Sequence, residues 1–303
     1  MKNRRTATVT GLLLLGLLAL AGSALVGEGA APPGAAAPAP APAPAAEAGE
    51  LWQGCAVLTV AEGKRLIARA VPRLPVVRRA LEGGTVIVTT GTTNTYVAEE
   101  LLGEKLEPGA FVTGRTAPAK GGKALAPKGP PLSVVVLRKG RWEKEVTLDQ
   151  ALKELRAGDV VVKGANLLDY DRKVAGVLIG SPEGGTTGKF WPLVVARKAH
   201  LVIPVGLEKL CPGEGRAVAA RMREPVQSLG RVPSMFEITG EIVTELEALK
   251  LLAGVDAFQA AAGGIGGAEG GRWLVYRGSK ENVEKAAELL KGIQGEPAFV
   301  GRD

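Results

Sequence analysis

Short apolar runs alternate with helical patterns along residues 51–215 of this chain. Each run ends in a polar or glycine-rich loop, and a helical pattern follows several of these loops. Alternation of this kind is typical of a doubly wound, mostly parallel sheet. We therefore predict an α/β fold for this region. The predicted strands are Thr85–Thr89, Ser133–Arg138, Val160–Val162, Val174–Ile179 and Leu201–Val205.

The hydrophobic pattern changes after Arg216. A helical segment and two strand-like segments lead to an amphipathic helix that begins after Ser279, with Glu and Lys on its polar face. The glycine-rich segment 263–271 lies between the two predicted strands, so it is predicted to be a hairpin loop and not a dinucleotide-binding loop. This order of elements predicts a small α+β, ferredoxin-like unit over residues 216–303, beside an α/β domain over residues 51–215.

The first fifty residues differ from the rest. Residues 1–27 combine a basic start with an uncharged run rich in Leu and Ala, which is the pattern of a signal peptide. The run is also long enough to span a bilayer as an uncleaved membrane anchor. Residues 28–50 are mostly Ala, Pro and Gly, which predicts an extended linker. Either interpretation predicts an extracytoplasmic protein, secreted or in the cell envelope, that contacts the membrane through residues 1–27 if they are retained.

Composition narrows the classes of function. The formal net charge is +7, but the basic residues are scattered without interleaved aromatic residues, so no nucleic-acid partner is expected. Two cysteines and one histidine without metal-ligand spacing argue against a metal site, and no cofactor is implied. Outside the cytoplasm Cys55 and Cys211 are candidates for a disulfide, with two free thiols as the alternative. His200 lies in a strand-like run and is interpreted as structural.

Three polar loops that follow predicted strands carry the candidate ligand groups. Helix N-termini together with small hydroxyl side chains bind phosphate or carboxylate groups. Because the carboxyl ends of parallel strands meet at one edge of a sheet, the loops are expected to converge there, with Lys163 as the fixed positive charge. A capped turn or a surface loop without a ligand is the alternative. The candidate ligand-binding residues are Gly91, Thr92, Thr93, Asn94, Lys163, Asn166, Gly184, Gly185, Thr186, Thr187 and Lys189.

Two of these loops resemble a known family. The sequence Gly91-Thr92-Thr93-Asn94 followed by a helix resembles the phosphate loop of ribose-5-phosphate isomerase A, and Gly158–Asp169 resembles that family's acidic strand end. The segment 206–210 continues the similarity in the same order. The sugar-sensing domains of DeoR-type regulators and the CoA-transferases share this fold. The resemblance covers about residues 59–210 and implies a ligand site at the carboxyl ends of the strands.

Departures from the family pattern bear on activity. Where the isomerases have two aspartates and a glutamate, this chain has Lys163, Asn166 and Leu167. Without these carboxylates the family's acid–base arrangement is lost, so isomerisation of ribose phosphate is not expected. The CoA-transferases use a glutamate nucleophile near a glycine-rich turn, and Glu183 is the residue here that matches it.

Three hypotheses follow from these residues. The first is a binding protein for a small anionic ligand that bears phosphate or carboxylate. The second is an isomerase or acyl-transfer enzyme that uses Glu183 and Lys163 as catalytic residues. The third is a structural protein of the cell envelope. The concentration of Lys, Asn, Thr and Glu at three strand ends favours binding over a purely structural role.

Overall fold

The apolar runs form the strands of three sheets in a computed structural model, which describes residues 50–114, 116–117, 119–120 and 131–298. The strands are β1 (Trp52–Leu58), β2 (Thr85–Thr89), β3 (Val134–Arg138), β4 (Arg141–Trp142), β5 (Val160–Val162), β6 (Leu167–Asp169), β7 (Val174–Ile179), β8 (His200–Pro204), β9 (Ser234–Ile238), β10 (Glu241–Val243), β11 (Asp256–Ala262) and β12 (Arg272–Gly278). The helices are α1 (Val60–Ala70), α2 (Pro75–Gly83), α3 (Thr92–Leu102), α4 (Leu148–Lys153), α5 (Gly185–Ala196), α6 (Gly215–Arg221), α7 (Glu245–Ala253) and α8 (Lys280–Lys291). Short 3-10 turns lie at Val71–Arg73 and Leu207–Lys209.

A six-stranded central sheet has the order β10-β8-β5-β2-β3-β4. The first four strands are parallel to one another, whereas β3 is antiparallel to both β2 and β4. All three residues of β5 are buried, as expected for a parallel strand covered on both faces. The protein is therefore a mixed α/β protein with a mostly parallel central sheet, and the carboxyl ends of β10, β8, β5 and β2 lie along one edge.

Two antiparallel sheets accompany the central one, with the orders β1-β12-β11 and β6-β7-β9. The predicted strand at Val174–Ile179 is β7, so it belongs to an antiparallel sheet. Strands on either side of the boundary predicted at 215/216 pair with each other, β8 with β10 and β7 with β9. The residues after 215 thus contribute strands to all three sheets. The glycine-rich segment 263–271 joins the antiparallel pair β11 and β12, which confirms the predicted hairpin.

Local sequence signals explain the helix boundaries. The Thr59 side chain accepts a hydrogen bond from the Glu62 N–H, and the Glu62 carboxylate accepts one from the Thr59 N–H, which closes a capping box at the start of α1. Proline follows at position 72 and again at the first residue of α2, so the predicted helical segment is broken into α1, a 3-10 turn and α2. Gly103 ends α3 with φ of 70°, a left-handed conformation that glycine adopts at little cost.

Helix α1 carries a buried cation that binds the C-terminal segment. Arg65 is 3% exposed, and its guanidinium donates to Glu99 at 2.5 Å, to Glu100 at 2.9 Å and to Glu296 at 2.9 Å. The Gly295 N–H also donates to the Glu62 carboxylate at 2.8 Å. The segment after α8 is therefore fixed to α1 and α3 by charged groups, and we call Arg65 with its three glutamates the arginine cluster.

Two predictions outside the central sheet have different outcomes. Cys55 is exposed on β1 and Cys211 is half-buried after β8, and both are free thiols, so the predicted disulfide between them is not formed. Residues 1–49, with the predicted signal peptide or anchor and nearly all of the linker, lie outside the described residues. Within the described part of the chain, no helix combines the length and the apolar character needed to cross a membrane.

Candidate functional site

The side chain of Asn94 bridges the carboxyl ends of β2 and β5. Its Nδ2 donates to the Thr89 carbonyl at 2.7 Å and to the Val162 carbonyl at 3.2 Å. These two acceptors fix the orientation of the amide, so the nitrogen must face the strands and Oδ1 must face away from them. Asn94 is fully buried, yet Oδ1 has no hydrogen-bond partner in the described structure.

The first turn of α3 adds further polar groups at the same place. Gly91 is the N-cap residue of this helix, and no side chain caps its N-terminal N–H groups. Thr93 in this turn is 3% exposed, and its Oγ1 has no partner among the described residues. Buried polar atoms are rarely left without hydrogen bonds in native proteins. Thr93 and Asn94 therefore present two unused polar atoms beside a helix N-terminus, where the helix dipole favours negative charge.

Lys163 follows β5 directly after the carbonyl that Asn94 contacts. Its own N–H donates to the Val202 carbonyl of β8, so its backbone lies between two parallel strands. The side chain is half-buried and forms no ion pair within the described residues. Burial alone lowers the pKa of Lys163 to about 8 from its ordinary 10.5. We call Thr93, Asn94 and Lys163 the open half of the strand edge, because it has a cation and no compensating carboxylate.

The other half of the edge has charges of both signs. Glu245, the first residue of α7, is 2% exposed, and its Oε2 accepts a hydrogen bond from the Leu207 N–H at 2.9 Å. Burial, and then the neighbouring Glu208, raise the pKa of Glu245 to about 7. Burial, and then the neighbouring Lys209, lower the pKa of Lys64 to about 8, against the opposite effects of Glu208 and Glu245. We call Lys64, Glu208, Lys209 and Glu245 the paired half.

Two glycines make room for the carboxylates of the paired half. A Cβ at Gly206 would overlap Oε2 of Glu208 and would lie 3.1 Å from Oε1 of Glu245, so the two carboxylates are close neighbours. A Cβ at Gly63 in α1 would lie 2.5 Å from the same Glu245 oxygen. Lys209 forms an ion pair with Glu208, with 3.3 Å between Nζ and Oε1. Lysines and glutamates thus compensate one another in a confined space.

The third predicted loop follows a strand outside the central sheet. It follows β7 of an antiparallel sheet, and a Cβ at Gly184 would contact Phe236 of β9. Lys189 pairs with Asp149 of α4 at 2.9 Å. Glu183 is exposed, and no neighbouring charge contributes to the lowered pKa of Lys163. The first two loops therefore follow adjacent strands of the central sheet, whereas Gly184, Gly185, Thr186 and Thr187 follow a strand of another sheet.

Asn166 and His200 have structural roles. The Asn166 side chain accepts a hydrogen bond from the Leu178 N–H at 3.0 Å, which fixes the start of the β6–β7 hairpin. His200 begins β8 at the amino end of the strand, opposite the edge that carries Lys163. Of the residues proposed from the sequence, Gly91 to Asn94 and Lys163 therefore lie at the ends of adjacent parallel strands.

One surface pocket adjoins the paired half, and a second lies at the opposite edge of the central sheet. One of about 330 Å³ is lined by Leu207, Leu210 and Leu246 together with the segment 169–172, so it adjoins the paired half through Leu207. The other, of about 320 Å³, is lined by residues that include His200 and lies at the opposite edge. No residue of the open half lines either of these pockets.

Sequence reasoning missed the paired half. Glu208 and Glu245 each follow a parallel strand, which is the signal that could have identified them, but β10 is only three residues long and was not among the predicted strands. Lys64 comes from a helix far away in the chain, and only the packing of α1 against α7 brings it near. Comparisons of the chain with protein-family models, curated proteins and solved structures find no match.

Proposed function

We propose that the open half of the strand edge binds a small anionic ligand that bears a phosphate or carboxylate group. The observation that carries this proposal is the half-buried Lys163 without a carboxylate partner in the described structure, beside the uncapped N-terminus of α3. A buried cation without a counter-charge is costly. A ligand that supplies the negative charge offsets that cost, and the N–H groups of α3 can donate hydrogen bonds to its oxygens.

The experiment titrates inorganic phosphate, and acetate separately, into the purified full chain and follows thermal stability. Lys163→Met should lower the anion affinity, obtained from the concentration dependence of this stabilisation, about tenfold or more, because one charge-assisted hydrogen bond contributes about 1.5–3 kcal/mol. Lys163→Arg keeps the charge and should retain most of it. Lys285→Met removes an exposed lysine of α8 and is the matched control.

The pH dependence provides a second criterion. Lys163 binds anions in its protonated form, so the affinity should fall as the pH rises through about 8. The anion itself favours the protonated lysine and should shift this midpoint upward. Equal stabilisation of the wild-type chain and Lys163→Met at every anion concentration would refute the proposal.

An enzyme that uses Glu183 and Lys163 together has less support. Glu183 is exposed on the loop before α5, whereas Lys163 lies between parallel strands and no neighbouring charge contributes to its lowered pKa. A structural role in the cell envelope would not account for the unused polar atoms of Thr93 and Asn94. Binding of an anion uses the cation, the helix N-terminus and the Thr93 hydroxyl at once.

We also propose that the fold is a divergent, doubly wound relative of the ribose-5-phosphate isomerase and CoA-transferase folds. Its support is the position of the Gly91–Asn94 loop after one parallel strand and of Lys163 after the adjacent one. The C-terminal unit proposed as ferredoxin-like would correspond to the strands and helices after residue 215. An experimental structure with bound phosphate at Thr93 and Lys163 would test this relation.

Export or membrane tethering belongs to the same proposal. The basic start, the uncharged run and the Ala- and Pro-rich linker of residues 1–50 support it. Fractionation of cells that express the full chain is the test, with the mass of the recovered protein showing whether residues 1–27 are retained. Recovery of unprocessed, soluble protein from the cytoplasm would contradict export.

A further inference from the structure

The open half contains an amine in an unusual setting. Lys163 lies at the end of the buried strand β5, and no carboxylate pairs with it in the described part of the chain. Lys64, at the other half of the same edge, has a pKa lowered to a similar value but has Glu208 and Glu245 as neighbours. A nearby carboxylate stabilises the protonated form of a lysine. Lys163 has no such neighbour among the described residues, so no carboxylate opposes the formation of its neutral amine.

We propose that Lys163 forms an imine with the carbonyl group of a small 2-oxo acid. This inference rests on the proposed anion site and specifies its ligand. The N–H groups at the start of α3 and the Thr93 hydroxyl would hold the carboxylate, and the carbonyl carbon next to it would face the amine. Desolvated lysines without a nearby carboxylate are the ones that act as nucleophiles toward carbonyl compounds.

The reaction balances without any additional reagent. The lone pair of Nζ attacks the carbonyl carbon, the π electrons move to oxygen, and the proton lost by nitrogen is taken up by that oxygen, which gives a carbinolamine. The carbon–oxygen bond then breaks, and the hydroxyl leaves as water after it accepts a proton from solvent, which replaces the proton that the lysine ammonium released when it became the neutral amine. The products are a protonated imine and one molecule of water.

The two unused polar atoms match the needs of this intermediate. A carbinolamine has a hydroxyl that needs a hydrogen-bond acceptor, and Asn94 Oδ1 is a buried acceptor whose orientation is fixed by the carbonyls of Thr89 and Val162. A bound anion alone brings no donor to this oxygen. The Thr93 hydroxyl can donate to the carboxylate. An oxo acid that reacts at Lys163 therefore provides a hydrogen-bond partner for both Asn94 Oδ1 and the Thr93 hydroxyl. Inorganic phosphate provides one for the Thr93 hydroxyl alone.

The lowered pKa supports the same chemistry. At pH 7.5 a lysine with a pKa of about 8 has a neutral fraction on the order of a hundredfold larger than one with a pKa of 10.5. The neutral amine is the nucleophile, so imine formation should increase as the pH rises toward 8. Anion binding to the protonated lysine should show the opposite trend over the same range.

The test is reductive trapping with pyruvate or glyoxylate as the probe. The purified full chain is incubated with the probe and sodium borohydride, and modified lysines are located by peptide mass spectrometry. Lys163 should be modified at least about tenfold more than the exposed Lys285 at pH 7.5, and acetone, which has no carboxylate, should modify it far less. Lys163→Arg keeps the positive charge but has no primary amine, so it should lose the selective adduct.

The possible outcomes separate this inference from the proposed function. Phosphate binding that depends on residue 163, with modification spread evenly over exposed lysines, would overturn the imine and leave anion binding intact. A selective adduct at Lys163 without any phosphate binding would support the imine and remove the simpler proposal. Circular dichroism of Lys163→Arg shows whether loss of the adduct reflects loss of the fold, and Thr93→Val, which should slow the modification by pyruvate but not by acetone, provides a second variant.

Discussion

The arginine cluster and the open half of the strand edge each contain a cation, but only the arginine cluster pairs it with carboxylates within the described residues. Arg65 is surrounded by Glu99, Glu100 and Glu296. Burial opposes its charged form, but the hydrogen bonds that it donates to Glu296 and Glu99 raise its pKa. Lys163 has no such partner in the described residues, and burial lowers its pKa. A charge that is fully paired within the protein stabilises a contact between segments. A charge that is left unpaired is available to a ligand.

The largest effect is expected from breaking the arginine cluster. Arg65→Ala leaves the buried Glu99 without its closest cation, so the free energy of unfolding should fall by about 3–5 kcal/mol. Urea denaturation measures it. Arg69→Ala, in the same helix, removes a hydrogen bond to the Gly292 carbonyl on the exposed surface and is the control, with an expected loss below about 1 kcal/mol. Equal losses of unfolding free energy in the two variants would contradict the idea that Arg65, unlike Lys163, is a paired cation that stabilises the fold.

The paired half should give the next largest effect, as a dependence of stability on pH. The pKa of Glu245 rises from 4.5 to about 7, so between these values the folded protein binds more protons than the unfolded chain. The stabilising contribution is complete below about pH 4.5 and is lost as the pH rises to about 7, by about 2–3 kcal/mol. Glu245→Gln should flatten this dependence in urea denaturation, and the exposed Glu281→Gln should not. A dependence that persists in Glu245→Gln would contradict the assignment.

A smaller effect tests how tightly the paired half is packed. Gly63→Ala should destabilise the protein by about 1–2 kcal/mol although alanine favours helices, because the new Cβ would lie 2.5 Å from the Glu245 carboxylate. The same substitution in a Glu245→Ala background should be neutral or stabilising, since the overlapping atoms are gone. Thermal denaturation of the four proteins completes the cycle. Additive effects would mean that the two residues do not touch.

The smallest effect has the opposite sign. Lys163→Met replaces an unpaired, half-buried ammonium with an apolar side chain of similar length, so stability at pH 7 should rise by about 1 kcal/mol while anion binding weakens. Between pH 8 and 10.5 the unfolded chain binds more protons at this residue than the folded chain, so the wild type gains stability with pH and the advantage of methionine disappears. A loss of stability in Lys163→Met would mean that this lysine is paired.

The sequence pattern predicted the central strands better than their pairing. β2, β5 and β8 are apolar runs followed by polar loops, and their hydrophobic periodicity is enough to locate them. The same periodicity does not distinguish a parallel neighbour from an antiparallel one, so β7 was placed with the parallel strands. Half of the candidate site was predicted because Lys163 directly follows β5, and Asn94 lies in the first turn of the helix after the adjacent strand β2. Lys64, Glu208 and Glu245 are brought together by tertiary packing, which a local sequence pattern does not predict.

The pairing of β1 with β12 has a consequence for how the chain folds. These strands, at Trp52–Leu58 and Arg272–Gly278, are more than 200 residues apart in sequence and form one antiparallel ladder. Contacts this distant raise the contact order, and folding slows as contact order increases. During synthesis β1 has no edge to pair with until β12 has left the ribosome. The apolar residues of β1 therefore stay exposed while the rest of the chain is made, a period in which a chaperone can bind them.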